Sequence, residues 1–166
     1  MSAQLREAAA PQRRLLPMTA ARLDEVMAIE GIAYDFPWTR GNFIDGLAAG
    51  YDAQLLVVDE RLVGYFVAMA GVEEMHLLNL TVAPGQQGRG HARFMLAELV
   101  DLCRQQAAEQ LWLEVRGSNR RARAVYTRFG FAQIGIRKGY YPAPQGRRED
   151  AIVMSLQTGG ADHALD

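Results

Sequence analysis

The sequence predicts a mixed α/β fold with a central sheet of about six to seven strands flanked by about four helices. Three observations predict it. Three β-rich runs follow one another between residues 53 and 82, which is the signature of an antiparallel meander. Helix-period and strand-period segments then alternate to residue 156, which places helices on the faces of a sheet. Finally, 166 residues that are 49% apolar and 22% charged make one domain with a sizeable core.

Element by element, Arg13 to Pro17 reads as a short first strand. Thr19 precedes a helix in which Leu23, Val26, Met27 and Glu30 recur at three- to four-residue spacing, and Thr39 opens a second helix through Leu47. Asp35-Phe36-Pro37-Trp38 between them is extended, because proline disfavours helix at the preceding residue. Ala53 to Asp59 and Leu62 to Ala70 form a hairpin across Asp59-Glu60-Arg61, and Met75 to Val82 is the next strand. Phe94, Leu96, Leu99, Val100 and Cys103 mark one face of a helix from about Gly90 to Gln106, followed by a buried strand from Leu111 to Val115. Ser118 and Asn119 are good N-caps and Gly130 a good stop for a helix from Arg120 to Phe129. Phe131 to Lys138 and Ala151 to Leu156 are the last two strands. The expected domain therefore spans 13–156, with loose tails at 1–12 and 157–166.

Several function classes are disfavoured at once. The longest apolar region, Leu55 to Val72, is interrupted by Asp59, Glu60 and Arg61, short of the ~18 residues a membrane helix needs. Glu7 within the N-terminal alanines argues against a secretory signal. Cys103, the single cysteine, fits a reducing cytoplasm and sits on an apolar helix face. His76, His91 and His163 have no metal-ligand spacing with it, so no metal is expected. The net charge of -1 hides a block: residues 116 to 148 carry 9 basic side chains and none acidic, which suits a phosphate, an RNA or plain solubility equally well. Glu30, Asp35, Glu73 and Glu74 read as surface acids that would attract a basic peptide.

Chemistry concentrates at three places. Leu80 to Ala92 runs from a strand through a glycine-rich turn into a helix. Small residues there let backbone approach a ligand, and free N–H groups at the helix start offer a pyrophosphate cradle. The spacing is neither that of dinucleotide folds nor that of a P-loop. Glu114 is the lone carboxylate of an apolar strand, on the face opposite Leu111, Leu113 and Val115; it is either half of an ion pair or a proton acceptor. Asn119, Ala122, Arg123 and Tyr126 share one helix face; Tyr126 is either a packed aromatic or, with a phenol protonated at neutral pH, a proton donor.

Gln87-Gly88-Arg89-Gly90-His91-Ala92 resembles the Q/R-x-x-G-x-G/A loop of the Gcn5-related N-acetyltransferases (GNAT). Phe36-Pro37-Trp38, Leu111 to Arg116 with Ser118-Asn119, Val125-Tyr126, Phe129 to Phe131, Tyr140-Tyr141-Pro142 and Glu149 to Ile152 are similar to its RimI branch, which acetylates the N-terminal alanine of a small-subunit ribosomal protein. Two positions depart from the pattern: Gly88, where relatives often carry a basic residue, and Ala92, where many carry glycine. Both leave the backbone donors in place. The resemblance implies a GNAT fold and acetyl-CoA as co-substrate. It implies Leu80, Thr81, Val82, Gly88, Arg89, Gly90, His91, Ala92, Arg93 and Asn119 as coenzyme contacts, the strand around Leu80 splaying from its neighbour. It implies Glu114 as general base, Tyr126 as general acid, and Phe36, Trp38, Tyr140 and Tyr141 as the lining of a peptide groove. The implied partner is the N-terminal peptide of a ribosomal protein, with no membrane and no nucleic acid required. Two alternatives stay open: an acetyltransferase of relaxed specificity towards other N-termini, lysines or small amines, and a non-catalytic module docking on ribosomal RNA through the basic block.

Overall fold

The structure is a computed structural model that describes residues 12–159. In chain order it runs β1 (Arg13–Pro17), α1 (Leu23–Ala33), α2 (Arg40–Ala48), β2 (Asp52–Val58), β3 (Arg61–Ala70), β4 (Glu74–Val82), α3 (His91–Gln105), β5 (Gln110–Arg116), α4 (Arg120–Phe129), β6 (Ala132–Pro142) and β7 (Arg148–Gln157). The seven strands form one sheet in the order β1-β2-β3-β4-β5-β7-β6. Every neighbouring pair is antiparallel except β4 with β5.

Alternation divides the core between the two sheet faces. Phe66, Met75, Leu77, Leu111 and Leu113 pack under Met95, Leu96, Leu99 and Cys103 of α3 and Tyr126 of α4. Leu55, Tyr65 and Val67 pack on the other face with Leu23 and Val26 of α1 and Phe43 of α2. Each such side chain contributes roughly 1.5–3 kcal/mol by leaving water. Cys103 is a core residue as expected: burial, then the charge of Asp52, pushes its thiol up to about 11, which makes it unreactive. Thr39 caps α2 in a capping box with Asn42, and the two turn residues between β2 and β3, Asp59 and Glu60, both have positive φ, the geometry that matches strand twist.

Two irregularities of β4 position everything that follows. It pairs with β5 only from Glu74–Gln110 to Leu77–Leu113, and beyond that the strands part. On its other side Asn79 pairs with Val67 and Leu77 with Ala68, so Leu78 is an extra residue, a bulge that reverses the alternation. Leu77 and Leu80 thus both face the α3–α4 core, while Leu78 faces the α1–α2 side. A side chain at Gly64 would meet the Thr81 carbonyl at 2.6 Å, so β3 and β4 close here because residue 64 is glycine.

The strand ends differ most from expectation at the last hairpin. β6 continues through Tyr140, Tyr141 and Pro142 rather than ending at Lys138, and β7 starts at Arg148 rather than Ala151. The pairing jumps from Arg137–Ala151 to Tyr141–Glu149, with Gly139 at positive φ donating its N–H to Asp150 Oδ1. That bulge breaks the two-residue period and makes the segment look like a loop in sequence. At the C-terminal end the chain stays docked past residue 156: Thr158 is buried and donates its hydroxyl to the Ala108 carbonyl at 2.6 Å. The remainder of the expected tails, 1–11 and 160–166, lies outside the described residues.

Candidate active site

A cavity of about 950 Å³ passes through the gap between β4 and β5, at the upper end of the range for bound small molecules. Leu80 and Val82 of β4, the turn at Gln86–Gly88, the start of α3 at Gly90–Arg93, and Asn119, Val125 and Tyr126 form one side. Tyr34 and Phe36, from the chain between α1 and α2, with Arg116 and Glu149, form the other.

The turn side is made largely of backbone. Gly88 and Gly90 sit at φ near +80°, a conformation that glycine adopts without strain. The first N–H groups of α3 have no partner within the helix and carry its positive dipole end. Arg93, Arg121 and Arg128 line the same region, where no acid does; the acids of the lining, Asp35 and Glu149, lie across the gap. A diphosphate fits this donor set. Asn119 caps α4 by accepting from the Ala122 N–H at 3.1 Å, which leaves its amide hydrogens to offer to a ligand.

Tyr126 is the one buried residue of α4. Burial, then the neighbouring Tyr34 and Tyr141 hydroxyls, raises its pKa above the ordinary phenol value. Tyr34 is pushed up to about 12 by burial, with Thr81 opposing and Glu30 adding. Tyr141 is also pushed up to about 12, by burial and then by the Glu114 carboxylate. All three phenols are proton donors at neutral pH.

Glu114 stands one residue beyond the last β4–β5 pair, at the apex of the gap. Its side chain is 6% exposed. Oε1 lies 3.4 Å from His76 Nε2 and Oε2 lies 3.8 Å from the Arg137 guanidinium. Burial keeps His76 below its usual pKa despite the pull of Glu114, so the ring is neutral at pH 7 and makes no ion pair. Oε2 has no hydrogen-bond partner, and neither has the buried Nε1 of Trp112 two residues earlier on the same strand, whose ring stacks on His76 at 3.6 Å. A buried carboxylate left half-coordinated is a ready proton acceptor.

Of the residues singled out from sequence, Leu80, Val82, Gly88, Gly90, His91, Ala92, Arg93, Asn119, Tyr126 and Phe36 line the cavity. Thr81 does not: its side chain is buried below, donating to Asn79 Oδ1 and accepting from Tyr34. Arg89 is exposed, outside the lining, and contributes a carbonyl to Arg13. Trp38 packs on Phe43 in the α1–α2 core, ring centroids 5.0 Å apart. Glu114, Tyr140 and Tyr141 are also outside the lining; the two tyrosines meet edge to face at 5.0 Å, over Arg137 and Arg116 respectively.

Sequence reasoning missed several participants, Arg121 and Arg128 of the lining among them. Tyr34 lines the cavity and is bonded to Thr81 at 2.7 Å. Arg116 lies between the Phe36 and Tyr141 rings, at 5.1 and 4.6 Å, and bonds Glu149 at 2.8 Å, tying the α1–α2 connection to the β6–β7 hairpin. Desolvation of Glu149 is outweighed by its bonds from Arg116 and Ser118, which hold it below the usual carboxylate range. Glu30, expected on the surface, is 1% exposed. Its carboxylate accepts from Tyr65, from Asn79 and from the Trp38 N–H. The helical period had placed it on the apolar stripe with Leu23 and Val26, and that was the available signal.

The model of the acetyltransferase (GNAT) family matches residues 23–131. The [ribosomal protein bS18]-alanine N-acetyltransferase of Haemophilus ducreyi is 35% identical over 133 residues, covering 80% of this chain and 92% of the relative. The crystal structure of the ribosomal-protein-S18-alanine N-acetyltransferase from Escherichia coli superposes with a TM-score of 0.83 at 32% identity, over 93% of this chain and 99% of that one. Arabidopsis thaliana Naa50, solved with the bisubstrate analogue CoA-Ac-MVNAL, shares the fold at a TM-score of 0.75 and 21% identity, over 87% of this chain and 98% of that one. Among the described residues no helix is long and apolar enough to cross a membrane.

Proposed function

Since the chain belongs to the acetyltransferase (GNAT) family and is therefore an acyltransferase, we propose that it acetylates the N-terminal alanine of ribosomal protein bS18, in the cytoplasm, by direct transfer from acetyl-CoA. One observation carries the reading. The cavity crosses the sheet at the β4–β5 gap, with a phosphate-suited turn on one side and an aromatic, acid-bearing groove on the other. Two reactants entering from opposite faces meet where the strands part.

Acetyl-CoA, when bound, supplies an acyl group already activated as a thioester. The turn at Gly88–Arg93 holds its diphosphate through backbone N–H groups, and freed β4 backbone around Leu80 binds the arm and polarises the carbonyl. Phe36, Tyr140 and Tyr141 line the entry of the peptide, and Arg116 fixes that entry by joining its two walls. An α-amine has pKa about 7.7–8.0, so a fraction arrives neutral and Glu114 Oε2 takes the proton that it sheds on attack. Tyr126 gives its phenolic proton to the departing sulfur. The burial that keeps this phenol protonated also raises the basicity of a thiolate beside it, so burial does not by itself make the transfer harder.

The test is mass spectrometry of a bS18-type peptide beginning with alanine, incubated with the protein and acetyl-CoA. One acetyl group at the α-amine is expected, with slower reaction of serine- and methionine-starting peptides and of spermidine. Equal rates on all of them would replace the alanine assignment with a relaxed one.

A further inference from the structure

Arg13 lies on β1 at the sheet edge, 78 residues before His91, yet its guanidinium reaches the glycine turn. Its Nε–H donates to His91 Nδ1 at 3.0 Å, and a terminal N–H donates to the Arg89 carbonyl at 2.7 Å. The same group lies over Phe94, 5.5 Å from the ring centroid. One side chain from a distant strand thus grips the turn, the first residue of α3 and the helix beyond.

The chemistry of that grip is directional. A guanidinium donates and never accepts, so Nδ1 of His91 is the lone-pair nitrogen and the neutral ring carries its hydrogen on Nε2. Burial, then the charges of Arg13 and Arg89, lowers the His91 pKa, and the ring is neutral at pH 7. His91 opens α3 and lines the cavity, at the helix end suited to anions. The charged groups that act on it are Arg13 from β1 and Arg89 from the turn; Arg93 of α3 lines the same cavity. The Arg89 carbonyl is a backbone acceptor that would oppose a phosphate if it turned inward.

We propose that Arg13 is a positioning residue for the coenzyme diphosphate: it holds the Arg89 carbonyl out of the cavity and locks His91 in the Nε2–H form, so that this ring joins the backbone amides as a donor to phosphate. The inference rests on the reading that the turn binds acetyl-CoA. It concerns this chain's own residues and is independent of Glu114 and Tyr126.

Coenzyme A titrated calorimetrically from pH 6 to 8 tests it, with nitrogen-15 spectra of the imidazole. Replacing Arg13 by Gln weakens binding roughly tenfold at pH 8 and changes His91 from one tautomer to a mixture. Relative to the wild-type profile, Arg13→Gln recovers affinity as pH falls, because His91 is freed to take a second proton and become a cation. Adding His91→Leu removes that recovery. Arg13→Lys keeps the charge and the stem but cannot make both contacts; it shows the same loss at pH 8 and serves if the Gln variant unfolds. Binding within about twofold of wild type in both Arg13 variants, or a wild-type His91 with its hydrogen on Nδ1, overturns the proposal. A wild-type chain that binds no coenzyme A overturns the coenzyme reading beneath it instead.

Discussion

Glu30 and Glu114 are two carboxylates withdrawn from water on the same flank of the sheet, and their surroundings are opposite. Glu30 accepts from a phenol, an amide side chain and a backbone N–H, and sits at the end of a relay in which Tyr34 donates to Thr81, Thr81 to Asn79 and Asn79 to Glu30. Glu114 has a neutral imidazole 3.4 Å from one oxygen and a guanidinium 3.8 Å from the other, and that second oxygen accepts no hydrogen bond. Satisfied polar groups fix a structure, whereas an unsatisfied one is retained where something else will bind it. The first carboxylate braces β4 against α1; the second is left with an open oxygen, which the proposed role of proton acceptor requires.

The sharpest way to break the contrast is to neutralise each. Replacing Glu114 with Gln lowers kcat/KM for the alanine peptide about 10²- to 10⁴-fold while urea unfolding stays close to wild type. Steady-state kinetics beside equilibrium denaturation checks both halves, and retained turnover would remove Glu114 from the mechanism. Glu30→Ala does the reverse. It strands two buried donors and a part-buried backbone N–H and costs about 3–5 kcal/mol of folding free energy, read from the urea midpoint. A stability loss for Glu114→Gln as large as that for Glu30→Ala would erase the distinction. A smaller effect belongs to Tyr126→Phe, which lowers kcat by about 10²-fold and leaves the affinity for acetyl-CoA unchanged.

The pH profile sharpens the comparison further. A base that only collects a proton leaves the rising limb to the substrate amine, near pH 7.7–8.0. Tyr126 must keep its proton to act, and burial moves its pKa up from 10.0, so the falling limb shifts to higher pH. Activity is expected to hold through pH 9.5 in this scheme; a decline beginning below pH 9 would assign the acid to another group.

Local patterns made the element order legible. Arg13–Pro17 and Arg120–Phe129 have the expected bounds, because a two-residue and a 3.6-residue period are written in neighbouring residues. The glycine turn was legible for the same reason: positive φ selects its residue type. What the residues alone did not show depends on pairing across the fold. The splay of β4, expected only from the family resemblance, is present as the gap after Leu77–Leu113; that gap and the bulge at Leu78 are matters of register, and register carries no mark in a single strand. Tyr34, Arg116 and Arg13 act on partners 47, 33 and 78 positions away, and in sequence each looks like any surface aromatic or arginine.

Gly64 decides which half of the sheet can yield. β3 and β4 already meet there at a separation that excludes even a methyl group, and the Ala83 N–H extends their union by bonding the Val63 carbonyl at 2.8 Å. β4 is thus a fixed jaw, clamped along one side with no slack. Any widening needed to admit a bulky second residue of the peptide must be taken up by the opposing jaw, the three strands β5, β7 and β6, which hang from β4 by four residue pairs.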